Sequence, residues 1–308
     1  MEKDLAIAID LGGTNTKVAL ATRSGKIVWK TDFATASFPD PEQWIRKSMG
    51  EVKKAPLLKK GDYRFAGLGL GAPNANYYSG VIAHAPNLPF EKGEIPIRVL
   101  LEKITGLDCK ITNDANASAL GEKLFGGAKA MNDFFSITLG TGLGSGIFVQ
   151  GKILYGSDGM AGEMGHTNLV PDGRLCNCGK KGCLETYVSA SGLMKTYLEF
   201  SEPKRTAHSA LQVYELAVEG HSPAKKAFQI TAELLGKQLA DMAALFSPEA
   251  IFLSGGLTKS GPLLYDATLK AFNSHAMEHH KNKIAIRASE LPAQDAALLG
   301  AAALVWEE

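Results

Sequence analysis

Two short glycine-rich stretches each follow an apolar run and precede another: Asp10-Leu-Gly-Gly-Thr14 and Leu139-Gly-Thr-Gly-Leu-Gly144. Gly12, Gly13, Gly140 and Gly142 would let backbone N–H groups approach a phosphate with no Cβ in the way, and Thr14 and Thr141 add hydroxyl donors. Asp10, at the end of its run, is placed to hold Mg2+ through water beside such phosphates. Two such loops could clamp one polyphosphate chain from both sides; either alone could be a tight hairpin turn. Rival nucleotide motifs fail. There is no G-x-x-x-x-G-K-[ST], Ser145 stands where a dinucleotide fingerprint begun at Gly140 needs glycine, and Pro73 follows Gly67-x-Gly69-x-x-Ala72 where a helix should open.

Three further sets of residues carry chemistry. Ser254-Gly255-Gly256 closes the run Ala-Ile-Phe-Leu, where glycines would let a flat base or ribose lie on the backbone, or simply make a turn. Asp114, in Thr112-Asn113-Asp114-Ala115-Asn116, sits between a strand and a helix. It could cap that helix or act as the base that takes a proton from an attacking hydroxyl. His166 with Cys176, Cys178 and Cys183, the three cysteines within eight residues, makes a closed Cys3His set suited to structural Zn2+. Glu163 and Glu185 flank this set and could bond vicinal hydroxyls, as could the ring nitrogen of His166 not used on the metal. Cys109 stands apart as a core residue.

These residues need elements to hold them. Leu5–Asp10, Lys17–Leu20 and Lys26–Trp29 read as three consecutive antiparallel strands. Helical periodicity over 40–60 puts Trp44, Ile45, Met49 and Val52 on one side, and Phe65–Leu70 reads as a strand. A helix follows over 94–105, a strand at Lys110–Thr112 and a helix at Ala115–Phe125. The opening pattern then returns: a strand at Phe134–Thr138, a glycine loop through Gly146, a strand at Ile147–Gln150, and Gly151-Lys152-Ile153-Leu154-Tyr155 where the first copy has Gly25-Lys26-Ile27-Val28-Trp29. The offset is 128 residues at the leucine and 126 at the turn glycine, which implies two similar domains rather than a solenoid. Beyond it, 187–247 reads as mostly helical, Ala250–Leu253 and 283–288 as strands, and Asp295–Val305 as a closing helix.

Composition bounds the classes of function. The 308 residues are 45% hydrophobic and 21% charged, enough for one large or two medium domains with real cores. With 33 basic against 32 acidic residues, no electrostatic case exists for nucleic acid or an anionic membrane as partner. No apolar run approaches the roughly 20 residues of a membrane helix, and the first residues lack a signal-peptide pattern. A cytoplasmic protein is expected.

The chain resembles the ROK family of repressors, open reading frames and sugar kinases, within the actin-like ATPase superfamily. The resemblance runs over nearly the whole length. Its most specific stretch is Gly165-His166…Gly173-x-x-Cys176-x-Cys178-Gly-x-x-Gly-Cys183-x-Glu185, and the two phosphate loops and Leu253-Ser-Gly-Gly256 match further family motifs. It implies an α/β fold of two actin-like, ribonuclease H-like domains with a cleft between them. The smaller would hold 1–113 with 294–308 and the larger 114–293 with the zinc loop. It implies transfer of the ATP γ-phosphoryl group to the 6-hydroxyl of a hexose, glucose first, with Mg2+ and a structural Zn2+ held by His166, Cys176, Cys178 and Cys183. By similarity Asp114 is the general base. Asn87, Asn113, Glu163, His166 and Glu185 bind the other hydroxyls, Gly255 and Gly256 the adenosine. A homodimer is expected.

One departure concerns the loop after the strand near 70. Many family members carry a Pro-Gly-x-Val-Asp-like loop there, which approaches the sugar; this chain has Ala72-Pro-Asn74-Ala-Asn76-Tyr77-Tyr78. Asn74 and Asn76 are candidates for polar contacts near the sugar's C1–C2 edge, or the loop is a different turn. Kinases of N-acetylated hexosamines or fructose are the near alternatives. A sugar-sensing repressor is disfavoured, because the first phosphate strand begins at Leu5 and leaves no room for a DNA-reading domain.

Overall fold

The computed structural model describes residues 3–59, 61, 63–85, 87–90, 93–201 and 207–307. The chain divides into two compact units, Met1–Ala130 with Ile153–Ala161 and Glu290–Glu308, and Met131–Lys152 with Gly162–Ser289. The boundary expected at residue 113 falls inside the first unit, which also keeps 114–130.

In unit 1, strands β1 (Asp4–Leu11), β2 (Asn15–Thr22), β3 (Ile27–Ala34), β4 (Arg64–Gly71) and β7 (Cys109–Thr112) form a sheet in the order β3-β2-β1-β4-β7. The first three are antiparallel neighbours and the last two run parallel to β1, as crossovers through helices require. The alternation in β1 explains its two faces. Leu5, Ile7, Ile9 and Leu11 enter a core with Trp44 and Ile45 of α1 (Pro41–Lys53) and Ile97 and Leu101 of α2 (Ile97–Thr105). Ala6 and Ala8 join Ala19 and Ala21 against Leu298, Ala301 and Ala302 of α8 (Ala296–Trp306), where small side chains admit a helix at close range. Between β4 and α2 lies a short hairpin, β5 (Ile82–Ala83) with β6 (Glu94–Ile95), so the helix read over 94–105 begins only after Pro96. Helix α3 (Asp114–Phe125) follows β7 directly.

Unit 2 repeats the design. Its sheet has the order β10-β9-β8-β11-β12, from β8 (Phe134–Leu139), β9 (Leu143–Val149), β10 (Lys152–Ile153), β11 (Ala250–Ser254) and β12 (Ala285–Ala288). In both sheets the strands stand in the order third, second, first, fourth, fifth, so the repeat seen in the sequence is a repeat of topology. The second glycine loop is shorter than expected: Gly144, Ser145 and Gly146 belong to β9 and pair with Thr138, Ile137 and Ser136. The long helical region is three helices, α4 (Ala190–Phe200), α5 (Ala210–Val218) and α6 (Ser222–Phe246), with 202–206 outside the described residues. Helix α7 (Pro262–His275) joins β11 to β12. Among the described residues no helix is long and apolar enough to cross a membrane.

Candidate active site

The expected site residues divide between the two units. Unit 1 carries Asp10, Gly12, Gly13, Thr14, Asn74, Asn87, Asn113 and Asp114; unit 2 carries the rest.

In unit 1 the β1–β2 turn is closed by Gly12 N–H donating to Asn15 O at 3.1 Å. A buried polar chain supports it from behind. Thr35 Oγ1 donates to Gly12 O at 2.7 Å and lies 3.0 Å from Thr16 Oγ1, which accepts Trp44 Nε1–H at 2.8 Å. Gly13 packs against the carbonyl of Asn87, so a Cβ at 13 has no room, and the two stretches expected at phosphate and sugar are neighbours. The cap on α3 belongs to Asn113, whose Oδ1 accepts Asn116 N–H at 2.7 Å. This leaves Asp114 as the first helical residue, with Oδ1 accepting the adjacent Ala115 N–H at 2.9 Å. The Asn113 amide nitrogen is not used in that cap.

Electrostatics sets Asp10 and Asp114 apart. Asp114 is open to solvent, but the protein packed around it displaces enough water to raise its carboxyl above the ordinary 3.8; the N–H groups of Ala115 and of Asp114 itself oppose this. Burial raises Asp10 as well, Lys17 (Nζ 3.7 Å from Oδ2) opposes, and the nearby Asp114 raises it further. Two carboxylates that disfavour each other's charge suit a divalent cation.

Asn74 and Asn76 both make contacts within unit 1. Asn74, at φ 54°, gives its amide nitrogen to His84 O at 2.6 Å. Asn76 accepts from Tyr78 and Ser79 N–H with Oδ1, both at 3.0 Å, and donates to Asp158 O at 2.6 Å.

In unit 2 the turn Gly140–Gly142 is closed by Gly140 N–H to Gly142 O at 3.0 Å and backs onto the start of α4. There Ala190 N–H donates to Gly140 O at 2.9 Å and Ser191 Oγ to Thr141 O at 2.9 Å. A cavity of about 480 Å3 opens beside it, lined in part by Gly140, Thr141, Tyr214, Phe228, Gly256 and Leu257. Gly255, at φ 94°, lies on the Leu139 backbone, a close approach that only glycine permits. Leu211, Tyr214 and Phe228 of this cavity carry no motif in the sequence; α5 and α6 bring them in by packing, and Lys259 comes from the turn Gly256–Ser260 after β11.

The cysteine cluster assembles as its spacing implies. His166 Nδ1 and Cys176 Sγ lie 3.6 Å apart, Cys178 and Cys183 Sγ 3.6 Å apart, and the four ligand atoms all fall within 4.8 Å of one another. Tetrahedral Zn2+ has ligand–ligand edges of roughly 3.5–3.8 Å, so the set fits that ion with slight contraction. The other ring nitrogen, Nε2, lies 3.9 Å from Glu163 Oε2. Glu185 connects this cluster to the glycine turn: its Oε2 accepts Leu143 N–H at 3.0 Å. Arg174, unnoticed in the sequence, ties the cysteine loop to the turn before α4 through Thr186 O at 2.7 Å and to α4 itself through Gly192 O at 3.2 Å and Thr196 Oγ1 at 2.9 Å.

Comparison with known proteins identifies the family of the whole chain. The ROK family profile matches residues 6–308. The chain is 33% identical to glucokinase of Halalkalibacterium halodurans over 98% of its own length and 95% of that protein's, and 31% identical to glucokinase of Thermotoga maritima over 100% and 99%. A ROK family glucokinase from Streptomyces griseus, solved in complex with glucose and AMPPNP, superposes with a TM-score of 0.81 at 31% identity over 99% of this chain and 100% of that one. With the duplicated sheet order and a profile match over nearly its whole length, the chain belongs to the ROK family and has the two-domain actin-like α/β fold.

Proposed function

We propose that the protein transfers the γ-phosphoryl group of ATP to the 6-hydroxyl of a hexose, glucose first, giving glucose 6-phosphate. The observation that carries the reading is Asp114: Asn113 takes the cap of α3, so Asp114 stays open to solvent with a raised carboxyl beside Asp10. The kinship with glucokinases and the site's chemistry support it.

Phosphoryl transfer asks mainly for positioning and charge stabilisation. The turns at Gly12–Thr14 and Gly140–Gly142 present backbone N–H groups and threonine hydroxyls to the phosphates. The cavity beside Tyr214, Phe228 and Gly256 takes the adenosine against apolar side chains. Asp114 accepts the proton of the 6-hydroxyl, and its raised basicity brings it closer to the pH at which it works. Asn87, Asn113, Glu163, His166 and Glu185 hold the remaining hydroxyls.

Asp10 would hold Mg2+ through water; when bound, the ion offsets phosphate charge and relieves the Asp10–Asp114 repulsion. His166, Cys176, Cys178 and Cys183 would hold Zn2+ as a structural ion, since all four positions are filled by protein. Held through Nδ1 in that set, the His166 ring would keep Nε2 on the side of Glu163, 3.9 Å from its Oε2. Asn74, whose amide nitrogen is given to His84 O, would meet the sugar through Oδ1. The family kinship supports a homodimer and a role in cytoplasmic carbohydrate metabolism such as glycolysis; light scattering checks the dimer by a mass twice that of the chain.

The test is ADP release with MgATP against glucose, N-acetylglucosamine, N-acetylmannosamine, mannose and fructose, each alone. Turnover concentrated on glucose is the expected result. Preference for another of these sugars would move the specificity and keep the mechanism; no turnover with any of them would overturn the reading.

A further inference from the structure

Residues 153–161 pack in unit 1, although the chain on both sides of them belongs to unit 2. This strap ends one residue before Gly162-Glu163, with His166 just beyond. The third strand expected here stops at Ile153, and side chains rather than a sheet ladder hold the chain beyond it. The ring of Tyr155 stacks on Tyr77 with centroids 4.1 Å apart and planes at 11°, and the Asn76 amide donates to Asp158 O at 2.6 Å. Ala161 N–H returns to Tyr155 O at 3.0 Å and closes the strap into a turn. Gly159 sits at φ 83° directly under Asn76, where a Cβ would lie 2.7 Å from the amide nitrogen.

The loop that does the holding is itself fixed. Asn76 Oδ1 accepts two successive N–H groups, and Arg98 in the first turn of α2 donates to Tyr77 O at 3.3 Å and Tyr78 O at 3.1 Å. The amide oxygen and nitrogen of Asn76 are thus engaged by the protein, and one face of Tyr77 is covered by Tyr155. These are the residues of the loop where the chain departs from its family's usual sequence, and their contacts run to the strap.

We propose that Asn76, Tyr77 and Tyr155 are positioning residues: they clamp the strap at 153–161 and so set where Glu163 and His166 bind the hexose. The role rests on the hexose kinase reading above. A hydrogen bond and a stacked ring pair of this kind each bias an equilibrium about fivefold, so loosening the clamp weakens sugar binding and leaves the nucleotide alone.

The experiment breaks the clamp from both sides. Asn76→Ala removes the amide from the loop; Gly159→Ala drives a methyl group into it from the strap. Each should raise the hexose KM about five- to tenfold, with the KM for MgATP moved less than about twofold. Because both act on one contact, the double variant should fall short of the product of the two single effects, with only the backbone strain of an alanine at φ 83° added independently. Tyr77→Phe, which keeps the stack, should behave as wild type. Hydrogen exchange over 153–161 should quicken in both single variants, a readout that does not need turnover. Unchanged exchange, unchanged hexose KM, an equal rise for MgATP, or multiplying effects in the double variant would each overturn the role. A wild-type chain that phosphorylates no hexose overturns the kinase reading and the role together; hexose turnover with unmoved KM in the variants overturns the role alone.

Discussion

Asp114 combines two demands that oppose each other. Its carboxyl binds a proton more tightly in the folded chain than the ordinary 3.8 implies, because loss of surrounding water outweighs the N–H groups that face it. A folded-state pKa raised above the unfolded value contributes stability that is fully present at acid pH and is lost as pH rises through the raised pKa. At neutral pH the ionised side chain therefore works against the fold. Asp114→Asn should lower kcat by about 10^2–10^4-fold while calorimetry finds hexose binding kept, and the variant should melt higher than wild type at pH 7. That gain should shrink as the melts are repeated toward pH 4; a variant that melts lower at pH 7 would show that the carboxylate is stabilising. The same sign predicts that kcat/KM falls as the pH is lowered through the raised pKa. Because Asp10 feels Asp114, the acid limb belongs to the pair, and Asp10→Asn should shift it downward.

Elements that act through their backbone carry predictions of another kind. A Cβ at Gly13 collides with the Asn87 carbonyl, so Gly13→Ala should disturb the phosphate turn and the sugar stretch together. Steady-state kinetics should show the KM values for MgATP and for hexose rising in parallel, each about tenfold or more, unlike the one-sided effect at the strap. The cysteine loop supplies an independent test. One zinc per chain is expected by elemental analysis. Chelation should lower the melting temperature and weaken hexose binding, since the loop that carries Cys176–Cys183 ends at Glu185, the partner of Leu143. Full zinc loss with unchanged sugar affinity would separate the ion from the site. Such elements were legible in the sequence where glycine, cysteine and alternating apolar residues mark them: the three opening strands, both glycine turns, the strand–Asn-Asp–helix junction and the grouping of His166 with the three cysteines. The cap on α3 was not, because Asn113 and Asp114 are both able to cap and only the backbone at the junction decides. Nor was the extent of β9, since Gly144 and Gly146 look like loop residues until their partners in β8 are known. The strap was illegible for a physical reason. Tyr155 continues an apolar, strand-like run, and what removes it from the sheet is a ring 78 positions earlier in the chain, Tyr77.

For the whole molecule, the interleaving of the two units matters more than their likeness. The repeat at a 128-residue offset was visible from the start, and the duplicated sheets answer to it. What the repeat does not convey is that unit 1 is assembled from three separate stretches of chain. Its alanine-lined face, Ala6, Ala8, Ala19 and Ala21, is covered by α8, which comes after all of unit 2 in the chain. A chain ended at Ser289 should therefore lose unit 1. Limited proteolysis is expected to remove the stretch before residue 130 and to leave a resistant fragment spanning most of 162–289. Adding the peptide 290–308 back should restore protection if α8 is the missing cover.

That same order has a consequence during synthesis. The strands of unit 1 leave the ribosome before unit 2, but the helix that closes their second face is translated after it. At about 5–20 residues per second, the face waits roughly 15–55 s while the chain between β2 and α8 is made. Through that interval the nascent chain exposes a half-finished sheet, which is the kind of surface that chaperones hold. The alanines suit both ends of the wait: small enough to admit α8 closely once it arrives, and less adhesive than leucine or valine until then.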